Sequence, residues 1–299
     1  MPNTDNNNLQ RIASYASLSV ALLLVAVKVW AWQATGSVSL LSSLVDSFLD
    51  VLASGITVVA VRVALTPADA EHRFGHGKAE GLAALAQALI IAGSAFYVFG
   101  EAVDRLLNPA TVTEPVAGIS VMLLSMVLTL ALVAFQNYVI RRTESMAINA
   151  DAMHYKTDLL INAAVAITIP IAAWTEFALL DPLVGIAIAL WILRATYGIA
   201  SGALDVLLDR ELPEEDRNRI YSIAISHNDV RGFHDLRTRF GGNRYFIQFH
   251  LELDPDTTLL NTHLILDEVE DGVREAFPNA DIIVHADPVG FEEKRDNFS

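Results

Sequence analysis

The stretch LVDSFLDVLASGITVVAVRVA, residues 44–64, decides the fold. It is apolar and about as long as a membrane-spanning helix needs to be, yet it carries Asp46 and Asp50. A spacing of four residues places both carboxylates on one face of a helix. Because charge in the hydrocarbon core is costly, ionisable residues inside a span usually mark an ion path. The stretch therefore predicts a membrane helix with a functional face.

A second pair with the same spacing, His154 and Asp158, lies within HYKTD in another apolar run. If the two helix faces meet, they offer three carboxylates and one imidazole, enough for a four-ligand shell around a divalent metal. Three alternatives remain open: acids left in solvent by a misplaced span boundary, a hydrogen-bonded histidine near the membrane surface, and a proton relay without metal. Lys156 is expected to point away from this face, and Lys28 in the first apolar run to extend towards the nearer membrane surface.

Composition divides the chain into an apolar and an acidic part. Hydrophobic residues make up 53% of the 299 residues and charged residues 18%, against about 25% in an average soluble protein. The last 92 residues hold 20 acidic and 10 basic side chains, which is most of the net charge of −15. We expect a membrane domain over 1–207 and a soluble domain over 208–299. The lack of a basic patch argues against a nucleic-acid partner, and the absence of cysteine excludes thiolate ligands.

The first domain is expected to cross the membrane six times. The expected spans are 10–33, 39–64, 80–106, 115–140, 147–174 and 180–206. Basic residues concentrate in the links after the second and fourth spans, at Arg62, Arg73, Lys78, Arg141 and Arg142. The positive-inside rule places these links, and with them both chain termini, in the cytoplasm.

The second domain reads as a small α/β unit of order α-β-β-α-β. A helix starts after Pro213, and segments 230–240 and 244–253 alternate around Gly241-Gly242-Asn243 as in a hairpin. A helical pattern over 259–277 and a short strand at 281–287 follow. This order predicts a sheet with helices on one face.

Two further groups of histidines lie outside the apolar runs. In the hairpin, His234 and His250 are predicted to be direct cross-strand neighbours, and His285 shares a strand face with Asp287. His263, near the start of the last helix, could reach the same place. Each alone could be an ordinary surface histidine; together they predict a metal site.

Asp69, His72 and His76 lie in the link after the second span and are a weaker candidate. The two histidines share a face only if the link is helical, which Gly75 and Gly77 make doubtful. A solvated polar loop is the alternative.

At this point the chain resembles the cation diffusion facilitator family, most closely its YiiP-type, ferrous-iron-efflux-like bacterial members. The resemblance covers nearly the whole chain, and its motifs together are specific. They are DSFLD (46–50), HRFGHGKAEGLAAL (72–85), HYKTD (154–158), LLDRELPEE (207–215), HDLRTR (234–239) and VHADP (284–288).

The resemblance implies a homodimeric inner-membrane transporter, not an enzyme, that exports divalent metal in exchange for protons. It implies zinc first, with cadmium or iron as alternatives. By position it assigns Asp46, Asp50, His154 and Asp158 to the transport site and Asp69, His72 and His76 to a second zinc site. It implies a binuclear zinc site at the dimer interface, bridged by Asp287, from His234, His250, His263, His285 and Asp287. A membrane-anchored metal sensor and a proton-coupled carrier of another solute remain as alternatives.

Overall fold

A computed structural model describes residues 4–35, 38–107, 119–175 and 179–290 of the chain. Contacts between residues divide the chain into two compact units. One unit comprises Asn3–Leu204 and the other begins at Asp205.

Long helices fill the first unit, as the apolar runs predict. They are α1 (Thr4–Thr35), α2 (Val38–Ala64), α3 (Ala79–Leu107), α4 (Ile119–Thr143), α5 (Met146–Thr175) and α6 (Leu180–Leu207). Positions 115–118 of the expected fourth span lie outside the described residues.

Five helical segments among the described residues are long and apolar enough to cross a membrane. They are Asp5–Ala34, Asp46–Ala64, Ala79–Leu107, Leu123–Thr143 and Pro182–Leu207. The fifth expected span forms helix α5 but is not among these segments. Asp151, Lys156 and Asp158 place charge in its first half. The chain is a multi-pass membrane protein, and α5 carries two of the candidate ligands, His154 and Asp158.

Small side chains let the helices of the first unit approach closely. On α1, Ala13, Ser17 and Ala21 recur every four residues and are fully buried. Such small-residue stripes are typical of membrane helix interfaces, where association relies on close packing. Helix α1 packs against α2 and α4, and α5 packs against α2, α3 and α4. Helices α2 and α5, which carry the paired ionisable residues, are therefore neighbours.

A buried polar network joins α5 to three other helices. The carboxylate of Asp151 is fully buried and accepts hydrogen bonds from Ser17 at 2.5 Å and Gln136 at 2.7 Å. The amide nitrogen of Gln87 lies 3.4 Å from its other oxygen. A buried carboxylate is tolerated only when donors satisfy it, so this network holds α1, α3, α4 and α5 in one arrangement.

The second unit has the predicted α-β-β-α-β order. Its elements are α7 (Glu214–Ile225), β1 (Gly232–Phe240), β2 (Tyr245–Leu253), α8 (Leu259–Ala276) and β3 (Asp281–Pro288). Strand β2 is central, antiparallel to β1 and parallel to β3. Its inward side chains Ile247, Phe249 and Leu251 pack in one core with Val269 and Val273 of α8.

The sheet register brings histidines side by side. His234 pairs with His250, as predicted, and His250 pairs in turn with His285 on β3. Near the turn, the strands pair one residue away from the expected register, as in Thr238 opposite Ile247. A bulge between His234 and Arg237 compensates for this offset, so that His234 lies opposite His250. Asp235 adopts a positive φ of 50° at this bulge. The bulge re-aims the start of β1 so that three imidazoles line up across the sheet.

We predict that Asp151→Ala lowers the thermal unfolding temperature of the purified protein in detergent. The change leaves buried donors of Ser17 and Gln136 without their acceptor, and each such group costs about 1–3 kcal/mol. The matched control is Asp5→Asn, which alters an exposed acid in the first turn of α1. Equal unfolding temperatures for both variants would contradict the structural role of Asp151.

Candidate metal sites

The first site lies between α2 and α5, inside the helical unit. The Nε2 atom of His154 lies 2.9 Å from Oδ1 of Asp50 and 3.8 Å from Oδ2 of Asp158. One ligand atom from each of the three residues lies within 4.8 Å of the others. The His154 side chain is only 6% exposed, and that of Asp50 is 14% exposed. Two carboxylates and one imidazole thus converge, with His154 and Asp50 shielded from solvent and the Asp158 side chain 37% exposed.

The structure does not bring the fourth expected ligand, Asp46, into this cluster. Asp46 is an exposed residue one turn before Asp50 on α2. Its spacing places it on the same helical face, but the three-residue cluster omits its carboxylate. Backbone periodicity fixes the face of a side chain but not where its carboxylate points.

The loop site also forms, although the link between α2 and α3 is not helical, which the shared-face argument had required. Turns occupy this link, and Gly75 has a φ of 82°. His72 Nδ1 and His76 Nε2 lie 3.4 and 3.6 Å from the two carboxylate oxygens of Asp69. The imidazole rings are 4.5 Å apart. The loop, not a helix face, gathers these three ligands.

Backbone donors organise Asp69. Its Oδ1 accepts hydrogen bonds from the backbone N–H of His72 at 2.6 Å and of Glu71 at 2.9 Å. The His72 N–H is the main cause that lowers the pKa of Asp69 below its usual value. The carboxylate is therefore held in its ionised, metal-binding form.

The third site lies at the ends of β1, β2 and β3. Asp287, with 11% of its side chain exposed, lies 2.9 Å from Nδ1 of His250, 3.2 Å from Nε2 of His234 and 3.1 Å from Nε2 of His285. Its Oδ2 faces His234 and His250, whereas Oδ1 faces His285. A carboxylate with partners on both oxygens is suited to bridging two ions.

The imidazole of His234 fits a metal ligand. Both its ring nitrogens are buried, and among the described residues neither has a hydrogen-bond partner of acceptable geometry. Buried polar atoms are normally satisfied, and an imidazole without partners is ready to bind an ion. Together with the carboxylate of Asp287, the residues present suit a zinc ion without thiolates.

The structure places His263 away from this site. His263 is 69% exposed on α8, and its nearest acidic partner is Asp267 at 3.6 Å. The side of α8 that packs on the sheet carries Ile265, Val269 and Val273, so His263 faces outwards. Within one protomer, the expectation that His263 joins the cluster is wrong.

Two residues that lie near the sites in the structure were not predicted to do so from the sequence. Glu252 lies 3.4 Å from Nδ1 of His234 and pairs with Asp287 in the sheet register, which strand alternation could have indicated. Lys28 was expected to extend towards the nearer membrane surface. In the structure its ammonium donates hydrogen bonds to Ser47 Oγ at 2.7 Å and to the carbonyl of Ser43 at 3.1 Å. Nothing in the one-dimensional pattern pairs Lys28 with α2.

Two family models match the chain consecutively. The cation efflux transmembrane domain matches residues 14–208, and the cation efflux protein cytoplasmic domain matches residues 212–289. The chain belongs to the cation efflux family. This family consists of metal-cation transporters, and the three clusters lie within the matched residues.

Curated relatives match along nearly their whole length. The cation-efflux pump FieF of Cronobacter sakazakii is 43% identical over 286 residues, which is 96% of this chain and 95% of that protein. FieF of Pectobacterium atrosepticum is 44% identical over 281 residues, 94% and 93% of the two chains. The Zn form of CzrB is 33% identical with a TM-score of 0.27, and covers 29% of this chain and 99% of that one.

We predict that Asp69 stays ionised during acidification from pH 7 to 5. A carboxyl whose pKa is lowered in the folded state stays ionised until the pH falls below its unfolded value of about 4. The check is NMR of the Asp69 carboxyl carbon in the folded protein over this range. A carboxyl signal that titrates above pH 5 would contradict the role of the backbone donors.

Proposed function

We propose that the protein is a proton-coupled antiporter that exports divalent metal, zinc foremost, from the cytoplasm. The observation that carries the proposal is the cluster of Asp50, His154 and Asp158 within the helical unit. Ionisable groups at that depth are expensive and mark an ion path. FieF pumps at over 40% identity support efflux as the direction of transport.

The donor set favours a borderline divalent ion. Imidazole and carboxylate ligands suit Zn²⁺ in a tetrahedral shell, which Asp46 completes by turning inward from its exposed position. Without thiolates, the site discriminates modestly, so Cd²⁺ and Fe²⁺ are the alternative substrates.

Proton coupling follows from the same side chains. His154 must lose a proton, and the carboxylates must be ionised, before they bind metal. Metal loading from the cytoplasm therefore releases protons, and protons from outside displace the metal after the helices reorient. A site that exchanges protons for metal needs only alternate exposure to the two sides to act as an antiporter.

The proposed orientation follows from the charges of the links between helices, and the proposed dimer follows from the second unit. The basic links after α2 and α4 favour the cytoplasm, so both termini and the second unit lie there, at the inner membrane. We infer a homodimer in which the second units meet near Asp287. His263, which faces outwards on α8, then serves as a ligand across that interface.

We predict that Asp50→Ala and His154→Ala abolish zinc flux into inverted vesicles under an imposed pH gradient. Each change removes one partner of the 2.9 Å contact between α2 and α5. The matched control is Asp205→Asn, since Asp205 pairs with Arg210 outside the clusters and should leave flux unchanged. Zinc flux that is retained in both alanine variants would contradict the assignment of the transport site. If the intact chain binds zinc without flux, the protein is a metal sensor, and pH-driven proton movement without metal indicates a carrier of another solute.

We further predict that Asp287→Asn lowers the number of zinc ions bound per chain and weakens the dimer. Three imidazoles lose the charge that gathers them, whereas the cluster between α2 and α5 is unaltered. Elemental analysis and light scattering in detergent measure the two effects. The control is Asp271→Asn, an exposed acid of α8 that pairs with Arg274. Unchanged zinc content in the Asp287 variant argues against a metal site in the sheet.

A further inference from the structure

A lysine of α1 reaches into the helical unit at the level of the paired acids. Lys28 is half-buried, and its ammonium donates to the hydroxyl of Ser47 at 2.7 Å and to the carbonyl oxygen of Ser43 at 3.1 Å. These two acceptors are one helical turn apart on α2. The side chain therefore spans the α1–α2 interface and ends on the helix that carries Asp46 and Asp50.

The anchor of this ammonium lies between the two acids. Ser47 is fully buried, directly follows Asp46 and lies three residues before Asp50. Residues three or four apart on a helix are surface neighbours. Ser47 lies three residues before Asp50, and Ser43 lies three residues before Asp46, so the positive charge is held within about one turn of both acids.

The charge of Lys28 lies beside the acidic set. Its ammonium attracts the carboxylates of Asp50, Asp46 and Asp158. Charges that are partly shielded from water interact more strongly than charges on a soluble surface. The imidazole of His154, 2.9 Å from Asp50, is the other basic group at these acids. Lys28 is therefore a second cation beside the acids, held on α2 by hydrogen bonds and not by the ligand atoms themselves.

We propose that Lys28 is an internal counter-charge of the transport site. It stabilises the metal-free form of the site and lowers the affinity of the site for divalent metal. The inference rests on the proposed function, because it presupposes that Asp50, His154 and Asp158 bind the transported ion. A divalent ion that enters the cluster meets repulsion from an ammonium fixed by two hydrogen bonds.

This arrangement has a use in transport. Three carboxylates and an imidazole without a nearby cation would hold a divalent ion tightly and release it slowly. A transporter needs a site that binds its ion and also releases it. A tethered cation meets this need, because it takes the place of the departing ion's charge without leaving the protein.

The test is zinc affinity of the purified full chain, measured by competition with a chromophoric chelator. The loop and sheet sites are silenced by His72→Ala and Asp287→Asn so that the remaining site is read alone. In this background Lys28→Met should lower the zinc dissociation constant by at least about tenfold, the effect of removing one charge about 6 Å from a divalent ion even at the dielectric constant of water, about 80. Lys28→Arg, which retains the charge, should stay near the parent value.

Lys156→Met is the matched control, because Lys156 is a half-buried lysine of α5 that makes no hydrogen bond or ion pair with the described residues. It should leave zinc affinity unchanged. In vesicles, Lys28→Met should lower both the zinc concentration for half-maximal flux and the maximal flux, because release becomes slower. Purely structural damage would instead weaken zinc binding.

Zinc affinity that is unchanged or weaker in Lys28→Met overturns the proposal. If Lys28→Met does not fold, Lys28→Gln carries the same expectation, since its amide can still donate to Ser43 and Ser47 without the charge. Asp50→Ala separates the transport-site hypothesis from the counter-charge hypothesis. If Asp50→Ala abolishes zinc flux but the Lys28 variants do not bind zinc more tightly, only the counter-charge hypothesis is rejected. Zinc flux retained in Asp50→Ala rejects the transport site itself.

Discussion

The contact between His154 on α5 and Asp50 on α2 is the constraint on which the helical unit depends. An imidazole with 6% exposure and a carboxylate with 14% exposure are tolerated there only as partners at 2.9 Å. The surrounding structure is arranged to keep them together. Small side chains on α1 let the helices approach closely, and the donors around Asp151 fix α5 one turn before His154.

The sheet solves a related problem outside the membrane helices. One carboxylate, Asp287, gathers three imidazoles from three strands, each within 3.2 Å of one of its oxygens. The β1 bulge and the parallel pairing of β2 with β3 create this arrangement through backbone register alone. The sheet sets the positions of these side chains through its register, whereas the cluster of Asp50, His154 and Asp158 is built from two separate helices.

The three clusters hold their acids with different partners. Backbone N–H groups donate to Asp69, and three imidazoles surround Asp287. On α2, Asp50 contacts the imidazole of His154, and the ammonium of Lys28 is anchored on Ser47 next to Asp46. The partners differ because backbone donors are free in a loop but are already used inside a helix.

The sequence by itself determined the long helices and the α-β-β-α-β order, because hydrophobic periodicity and turn residues act locally. It also marked the candidate ligands of α2 and α5 through the four-residue spacing. The pairing of His234 with His250 was predicted, but it depends on a bulge at Asp235 that the sequence did not predict. Only the tertiary structure decided that Asp46 stays outside the cluster, that His263 faces away from Asp287 and that Lys28 turns towards Ser47. These outcomes depend on side-chain direction and on which helices are neighbours, and neither is encoded in periodicity along one segment.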